Sequence, residues 1–175
     1  RGGVVAIPAE WGGGVDRERC EDGMMGRCGI QEVIGMHTWP AMPTGSFGIR
    51  AGSFFAATDQ FDITFEGRGG HAAKPHETVD TTVMSAQAVL ALQTITSRNA
   101  DPVEQIVVSV TSFETSSKAF NVIPQRVQIK GTVRTLSAET RGLAEERIKG
   151  ICSGTAGTFG RKAEGTTAPG APGTG

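Results

Sequence analysis

The hexapeptide F-D-I-T-F-E, Phe61 to Glu66, alternates strictly between apolar and polar side chains. Successive side chains of a β-strand point to opposite faces, so Phe61, Ile63 and Phe65 would share one face and the polar residues the other. The stretch therefore predicts a strand with one buried face. Because the pattern before residue 60 is much less regular, we expect a separately folded unit to begin here.

Three further elements follow this strand. Asp80 can cap a helix from about Thr81 to Arg98, along which apolar residues recur at helical spacing. The stretch Gln105–Phe113 is rich in β-branched residues and predicts a strand. Arg126–Thr135 alternates almost as regularly as the opening hexapeptide and predicts another half-buried strand.

The last two predicted elements complete a recognisable order. Ser137 can cap a second helix that extends towards Gly154, and Phe159–Glu164 predicts a short final strand. Residues 59–164 thus follow the order β-α-β-β-α-β, which is typical of an α+β split βαβ (ferredoxin-like) sandwich, an antiparallel sheet with two helices on one face. Residues 165–175 have too few apolar side chains to offset the cost of ordering and are predicted to be a disordered tail.

Residues 1–58 form a different segment that precedes this unit. A short apolar run, Gly3–Ala9, predicts a buried strand, Asp16–Met25 predicts a short helix and Glu32–Thr38 predicts a second strand.

Charge and composition argue against several classes of function. The 17 basic and 18 acidic residues nearly cancel, so no strong field favours a nucleic acid or an anionic membrane. An RNA-binding split βαβ module would also need exposed aromatic residues for base stacking, and the chain has no tyrosine. No apolar run approaches the ~20 residues of a membrane span. Three cysteines without zinc-site spacing favour reduced thiols in a cytoplasmic protein.

Two of the three histidines, His71 and His76, lie in the loop G-R-G-G-H-A-A-K-P-H, residues 67–76. Its glycines and alanines permit close approach of a ligand or of another backbone, although a polar surface turn is the simpler interpretation. Asn121, before V-I-P, and Arg134, near the far end of the third strand, favour a binding role. An arginine fork suits a carboxylate, and an amide adds a directional hydrogen bond.

Two more candidate residues come from the first segment. Glu10 follows a predicted strand and precedes three glycines, so it can be a carboxylate positioned at the end of a sheet or a solvated loop residue. His37 ends the predicted strand V-I-G-M-H, where an imidazole can ligate a metal or can simply be hydrogen-bonded. Spacing alone decides neither case.

Five ordered motifs together resemble one known family over roughly residues 3–150. They are P-A-E-W-G-G-G (8–14), G-M-H-T-W-P (35–40), F-E-G-R-G-G-H-A-A-K-P-H (65–76), N-V-I-P (121–124) and G-T-V-R-T-L (131–136). The chain resembles the metal-dependent amidohydrolase and carboxypeptidase family that includes hippurate hydrolase, N-acyl-amino-acid amidohydrolases, aminoacylase and the plant hydrolases of indole-acetyl amino acids. Members of that family have a dinuclear-metal catalytic domain interrupted by an inserted lid, or dimerisation, domain. The resemblance implies that residues 59–164 are this lid and that residues 1–58 are a piece of the α/β catalytic domain.

The same resemblance implies roles for five residues and a homodimer that hydrolyses the amide bond of N-acyl amino acids. Glu10 matches the general base, which takes a proton from water and delivers it to the leaving amine. His37 matches a ligand of two divalent metal ions, zinc or manganese. His71 matches the lid histidine that reaches the partner's active site to stabilise the developing oxyanion. Asn121 and Arg134 match lid residues that bind the carboxylate of the substrate.

The chain departs from the family pattern at its metal site. Trp11 stands where the family carries a second glutamate that ligates metal, and an indole nitrogen is a donor that cannot bind a cation. A catalytic zinc site ordinarily has three protein ligands, and the resemblance supplies one here. We therefore predict that the chain alone holds no metal stably and is inactive. Two alternatives stay open, a non-catalytic dimerisation or scaffold domain and, less favoured, a nucleic-acid-binding split βαβ module.

Overall fold

The structure is a computed structural model that describes residues 21–32 and 37–170. The chain divides into two compact units, the first ending at Gly48 and the second beginning at Ile49. In the first unit, the helical turn α1 spans Met24–Arg27. It follows Gly23, whose φ of 78° lies in the region that favours glycine.

Only some of the elements predicted for residues 1–58 fall within the described residues and can be compared with the structure. The strand predicted in Gly3–Ala9 and the first half of the helix predicted in Asp16–Met25 lie outside the described residues. Glu32, His37 and Thr38, at the two ends of a predicted strand, lie in no strand, and residues 33–36 between them are not described. Beyond them the chain turns at once, with the Met42 amide donating to Trp39 O at 3.1 Å.

The second unit, over its described residues, contains six strands and two long helices. The strands are β1 (Ala57–Glu66), β2 (Gly70–His71), β3 (Ile106–Thr115), β4 (Val122–Ile123), β5 (Arg126–Thr135) and β6 (Ala163–Pro169). The helices are α2 (Thr81–Thr94), which continues as π-helical Ile95–Asn99, and α3 (Ala138–Thr158). A 3-10 turn at Pro75–Glu77 precedes α2.

The long strands form one sheet in the order β3-β5-β1-β6, and every neighbouring pair is antiparallel. The alternation predicted along β1 and β5 is present, because Phe65, Val127 and Ile129 are fully buried while their neighbours are not. These side chains join helix residues such as Met84 and Ile148 in one core. The predicted combination of an antiparallel sheet with helices is therefore confirmed.

The end of the chain corrects one prediction. The last strand is Ala163–Pro169 rather than Phe159–Glu164, and it pairs with β1 from Asp59 to Phe65. The prediction of a disordered tail from residue 165 is therefore wrong for residues 165–169, while residues 171–175 are not described. The physical reason is the second side of β1, whose backbone donors and acceptors need partners that this segment provides.

Both predicted helix caps are confirmed. Asp80 Oδ1 accepts hydrogen bonds from the amides of Thr82 (2.8 Å) and Val83 (3.2 Å), and Ser137 Oγ accepts one from Thr140 (3.1 Å). These side chains satisfy donors that a helix start leaves without intrahelical partners. Within the described ranges, neither helix combines the length and apolar character that crossing a lipid bilayer requires.

The thiol of Cys152 lies in the core, and loss of solvation raises its pKa from 9.0 to about 12. A raised folded-state pKa contributes stability that is complete below pH 9 and is lost as the pH rises from 9 towards 12. At mildly alkaline pH we expect a thiol reagent to label exposed Cys28 quickly and Cys152 only after denaturation. Mass spectrometry of the labelled peptides measures this, and rapid labelling of Cys152 in the native chain would contradict the packing of α3.

Candidate functional site

Two of the sequence motifs meet at a short antiparallel ladder beside the main sheet. Strand β2 pairs with β4, so that Gly70 lies opposite Ile123 and His71 opposite Val122. The Ala72 amide extends this ladder by donating to Asn121 O at 2.9 Å. The ladder therefore joins the main chains of the two segments that carry His71 and Asn121, residues predicted from separate motifs.

The turn that carries His71 is tied to the start of β5 by further hydrogen bonds. The Gly67 amide donates to Gln125 O at 3.0 Å, and the Gln125 side chain bonds both Gly67 O and the Gly69 amide, each at 2.9 Å. A Cβ at Gly69 would lie 2.7 Å from Ile123 O. The two segments approach so closely that only glycine fits at this position.

The start of α2 joins the same assembly. The hydroxyl of Thr81, which is fully buried, donates to Pro124 O at 2.7 Å. This bond anchors the N-V-I-P segment to the core of the unit. Sequence reasoning missed Thr81 and Gln125, because their partners lie more than forty positions away along the chain.

The imidazole of His71 is exposed, and its tautomer follows from one contact. Its Nδ1 accepts a hydrogen bond from the Ala73 amide at 3.1 Å. A nitrogen that accepts from an N–H carries no proton, so the neutral ring bears its proton on Nε2. The Lys74 amide also donates to His71 O at 2.9 Å. His71 is thus presented at the surface as an Nε2–H donor.

Arg134 lies at the other end of the sheet. It is half-buried near the end of β5, opposite Thr58 of β1 and Val107 of β3. Its guanidinium donates to Val133 O at 3.0 Å and to the Thr132 hydroxyl. Nearly the whole length of β5, roughly 27 Å, separates it from the N-V-I-P segment. One copy of the chain therefore does not bring Arg134 together with His71 and Asn121.

Of the residues predicted at or near the metal site, the structure describes His37. His37 is exposed, and its Nδ1 lies 2.6 Å from Thr38 O. A carbonyl oxygen accepts only from a protonated nitrogen, so the neutral ring carries its lone pair on Nε2, the arrangement common in metal-ligating histidines. Among the described residues, no three His, Cys, Asp or Glu side chains form a group that could hold a metal ion. Glu10 and Trp11 lie outside the described residues.

A separate polar contact lies on the helix side of the sheet. The Arg141 guanidinium donates to both carboxylate oxygens of Asp59, at 2.8 and 2.5 Å, and the Gly170 amide donates to the same carboxylate at 3.1 Å. The hydrogen bond to Asp59 raises the pKa of Arg141. This bidentate pair joins α3 to β1 and to the end of β6, and its charges are satisfied within the unit.

Comparison with known protein families gives one match over most of the second unit. A family model described as a peptidase dimerisation domain matches residues 58–159. The match covers the elements from β1 to α3, and includes His71, Asn121 and Arg134.

Individual relatives extend the similarity into the first unit. The chain is 38% identical over 156 residues to N-acetyl-L-cysteine deacetylase of Bacillus subtilis, covering 89% of this chain and 37% of that protein. It is 39% identical over 149 residues to hippurate hydrolase of Campylobacter jejuni, covering 85% of this chain and 39% of that protein. The chain thus spans well under half the length of these relatives.

A solved structure gives the same picture. A dinuclear metal-binding peptidase of the M20 family from Bacillus subtilis is similar with a TM-score of 0.68 and 28% identity, over 90% of this chain and 38% of that one. The shared region again corresponds to a part of the larger protein.

Proposed function

The chain belongs to the M20 peptidase dimerisation-domain family, and we propose that it is the lid and dimer contact of a longer metal-dependent amidohydrolase that cleaves the amide bond of N-acyl amino acids. Relatives named as an N-acetyl-L-cysteine deacetylase and a hippurate hydrolase support this substrate class. The observations that support the proposal are the β2–β4 ladder, which joins the main chains of the His71 and Asn121 segments, and the exposed Nε2–H of His71.

Two copies are needed to assemble the proposed substrate site. Arg134 is too far from His71 and Asn121 within one chain for all three to contact one small substrate. We therefore assign His71 and Asn121 to one copy and Arg134 to the other, where its guanidinium binds the substrate's carboxylate. An active site built in this way lies between subunits.

The chemistry proposed for the longer enzyme gives each candidate residue one role. The Nε2–H of His71 donates to the carbonyl oxygen as negative charge develops on it, and Asn121 supplies a further hydrogen bond. Glu10 accepts the proton of the attacking water and returns it to the leaving amine. Two divalent metal ions, when bound, supply polarisation of that water, and His37 is suited to ligate one of them. Because three or more ligands are needed, we propose that the chain alone is inactive.

We also assign the second unit to the split βαβ (ferredoxin-like) sandwich. Its long elements occur in the order β-α-β-β-α-β, and the first and third long strands, β1 and β5, lie at the centre of the sheet. This assignment leaves β3 and β6 as the two edges.

The edge formed by β3 is suited to pair with a second copy. It contains no charged residue before Glu114, and Val107 is 51% exposed. Soluble proteins usually protect a long edge strand with charges, prolines or a covering element. An unprotected edge of this kind favours extension of the sheet across a two-fold axis.

Helix α2 packs over β3 and provides a second uncharged surface. It has no charged residue, and Leu90 is 72% exposed. By contrast, α3 carries six charged residues. Exposed apolar residues on a helix without charges indicate an interface, and the occupant we assign to it is α2 of a second copy.

Sedimentation velocity of the chain tests the dimer contact. We expect a dimer, and we expect Leu90→Lys and Val107→Lys each to raise the dissociation constant on the order of 100-fold, because each buries an unpaired charge. Ser153→Lys places the same charge on the exposed side of α3 and should leave the dimer intact. A monomeric wild-type chain, or equal effects of all three substitutions, would contradict the assignment.

A further inference from the structure

We propose that Gln125 is a positioning residue for His71. Its side-chain amide bridges two main-chain groups of the His71 loop, residues 67–76, and so holds the ring with its proton on Nε2. This inference rests on the proposed role of His71 as a donor in a partner's active site. It adds a residue to that site which does not itself touch substrate.

The bridge uses both ends of one amide. Gln125 Nε2 donates to Gly67 O and Gln125 Oε1 accepts from the Gly69 amide, each at 2.9 Å. With the main-chain bond from the Gly67 amide to Gln125 O at 3.0 Å, one residue satisfies three groups of the loop. Because Gln125 is exposed, packing does not account for this arrangement.

The main chain of the loop is also held by two hydrogen bonds between Arg68 and Val79 and by the β2–β4 ladder, whereas the described contact of the His71 ring itself is the one from the Ala73 amide. Strands β2 and β4 pair over two residues, and a ladder of that length is marginal by itself. The Ala73 amide reaches Nδ1 of His71 only while the turn from His71 to Lys74 keeps its shape. The Gln125 bridge fixes the chain just before this turn, so it determines whether the Ala73 amide and the ring stay aligned.

A second glutamine, three residues further along the chain, provides a matched control for substitutions of Gln125. Gln128 also uses its side-chain amide, donating to Asp62 Oδ1 at 2.7 Å, but it lies on β5 and makes no described contact with the His71 loop. Gln125→Met and Gln128→Met remove the same functional group with the same change of shape. Gln125→Glu keeps the acceptor for the Gly69 amide and loses the donor to Gly67 O.

The test is two-bond ¹H–¹⁵N NMR of the histidine rings in the full 175-residue chain, at a pH where the rings are neutral. In the wild type we expect His71 to show an unprotonated Nδ1 and a protonated Nε2. Gln125→Met should move both nitrogen shifts towards those of exposed His76, Gln125→Glu should move them part of the way, and Gln128→Met should leave them unchanged. Amide exchange of Ala72 should be roughly tenfold faster in Gln125→Met, while that of Ile129 in the core stays the same.

The possible results test the positioning role of Gln125 and the proposed function of His71 separately. Unchanged His71 shifts in Gln125→Met, or a protonated Nδ1 in the wild type, would overturn the positioning role and leave the lid assignment intact. Equal acceleration of Ala72 and Ile129 exchange would show a general loss of stability, which also overturns it. If the shifts move as expected but Gln125→Met leaves kcat of the longer enzyme unchanged, the positioning role stands and the catalytic role of His71 fails.

Discussion

Replacing His71 by alanine in the proposed longer enzyme is expected to lower kcat roughly 10²–10³-fold, with little change in KM. Removal of one prepositioned oxyanion donor has an effect of this size, and a donor used mainly in the transition state contributes little to substrate binding. His76→Ala provides the matched control, because His76 is an exposed histidine of the same loop. Steady-state kinetics with an N-acetyl and an N-benzoyl amino acid measure both variants. Equal losses in the two variants would mean that loop structure, not the His71 donor, is responsible.

Mixing two inactive variants tests whether His71 acts across the dimer. His71→Ala leaves its own Glu10 intact, and Glu10→Gln leaves its own His71 intact. If the lid histidine serves the partner's site, a mixed dimer contains one site with both residues, and a random one-to-one mixture should recover about a quarter of the wild-type activity. No recovery after confirmed subunit exchange would show that His71 serves its own chain. A dimer that is fully folded but inactive in every form would instead favour the scaffold alternative.

The elements that the sequence predicted well are those whose signal is local. Strand β5 was predicted at its observed bounds, Arg126–Thr135, because apolar and polar residues alternate along it and one face is buried. The start of α2 was predicted for the same kind of reason, since the Asp80 cap acts within the next three residues. Both patterns are visible within a short run of consecutive residues, so recognising them requires no knowledge of contacts with distant parts of the chain.

Strand β6 shows where local patterns fail. Residues 165–169 look disordered by composition, yet they pair with β1, about a hundred positions earlier in the chain. The segment is stabilised by the side of β1 that does not pair with β5. The sequence of the segment itself does not indicate that this side of β1 is available for pairing. Composition indicates how much apolar surface a segment can bury. It does not indicate which backbone N–H and C=O groups elsewhere in the chain need a hydrogen-bond partner.

For the candidate site, the sequence likewise predicted the residue types but not their arrangement. His71, Asn121 and Arg134 were predicted as residue types that suit a substrate, but only the paired ladder brings His71 and Asn121 together, and only the length of β5 separates Arg134 from them. Gln125 carried no signal, since a lone glutamine at a strand start has many ordinary uses. The tautomer of His71 depends on a main-chain amide two residues later, which any residue except proline would supply.

Substituting Gly131 by valine is expected to destabilise the second unit by about 3 kcal/mol or more, the upper range for overpacking a core. Gly131 lies in β5 opposite Phe61 of β1, and the Phe61 ring covers the space that a side chain would need. A Cβ at Gly131 would lie 2.1 Å from the end of this ring and 2.3 Å from Ser109 O. The ring can move only into the packed core, and the carbonyl belongs to the neighbouring strand β3. Urea denaturation followed by circular dichroism measures the loss.

A glycine in α3 supplies the control, because the same kind of change there should have the opposite sign. Gly150 is exposed in the middle of the helix, and a Cβ there would meet nothing within 4 Å. Gly150→Ala should therefore stabilise the unit by up to about 1 kcal/mol through helix propensity, whereas Gly131→Ala should already destabilise it. If Gly131→Val were tolerated, Phe61 could not lie over β5, and the register that places Arg134 at one end of the sheet and His71 at the other would be wrong. The stability of this variant thus tests the geometric premise on which an active site shared between two chains depends.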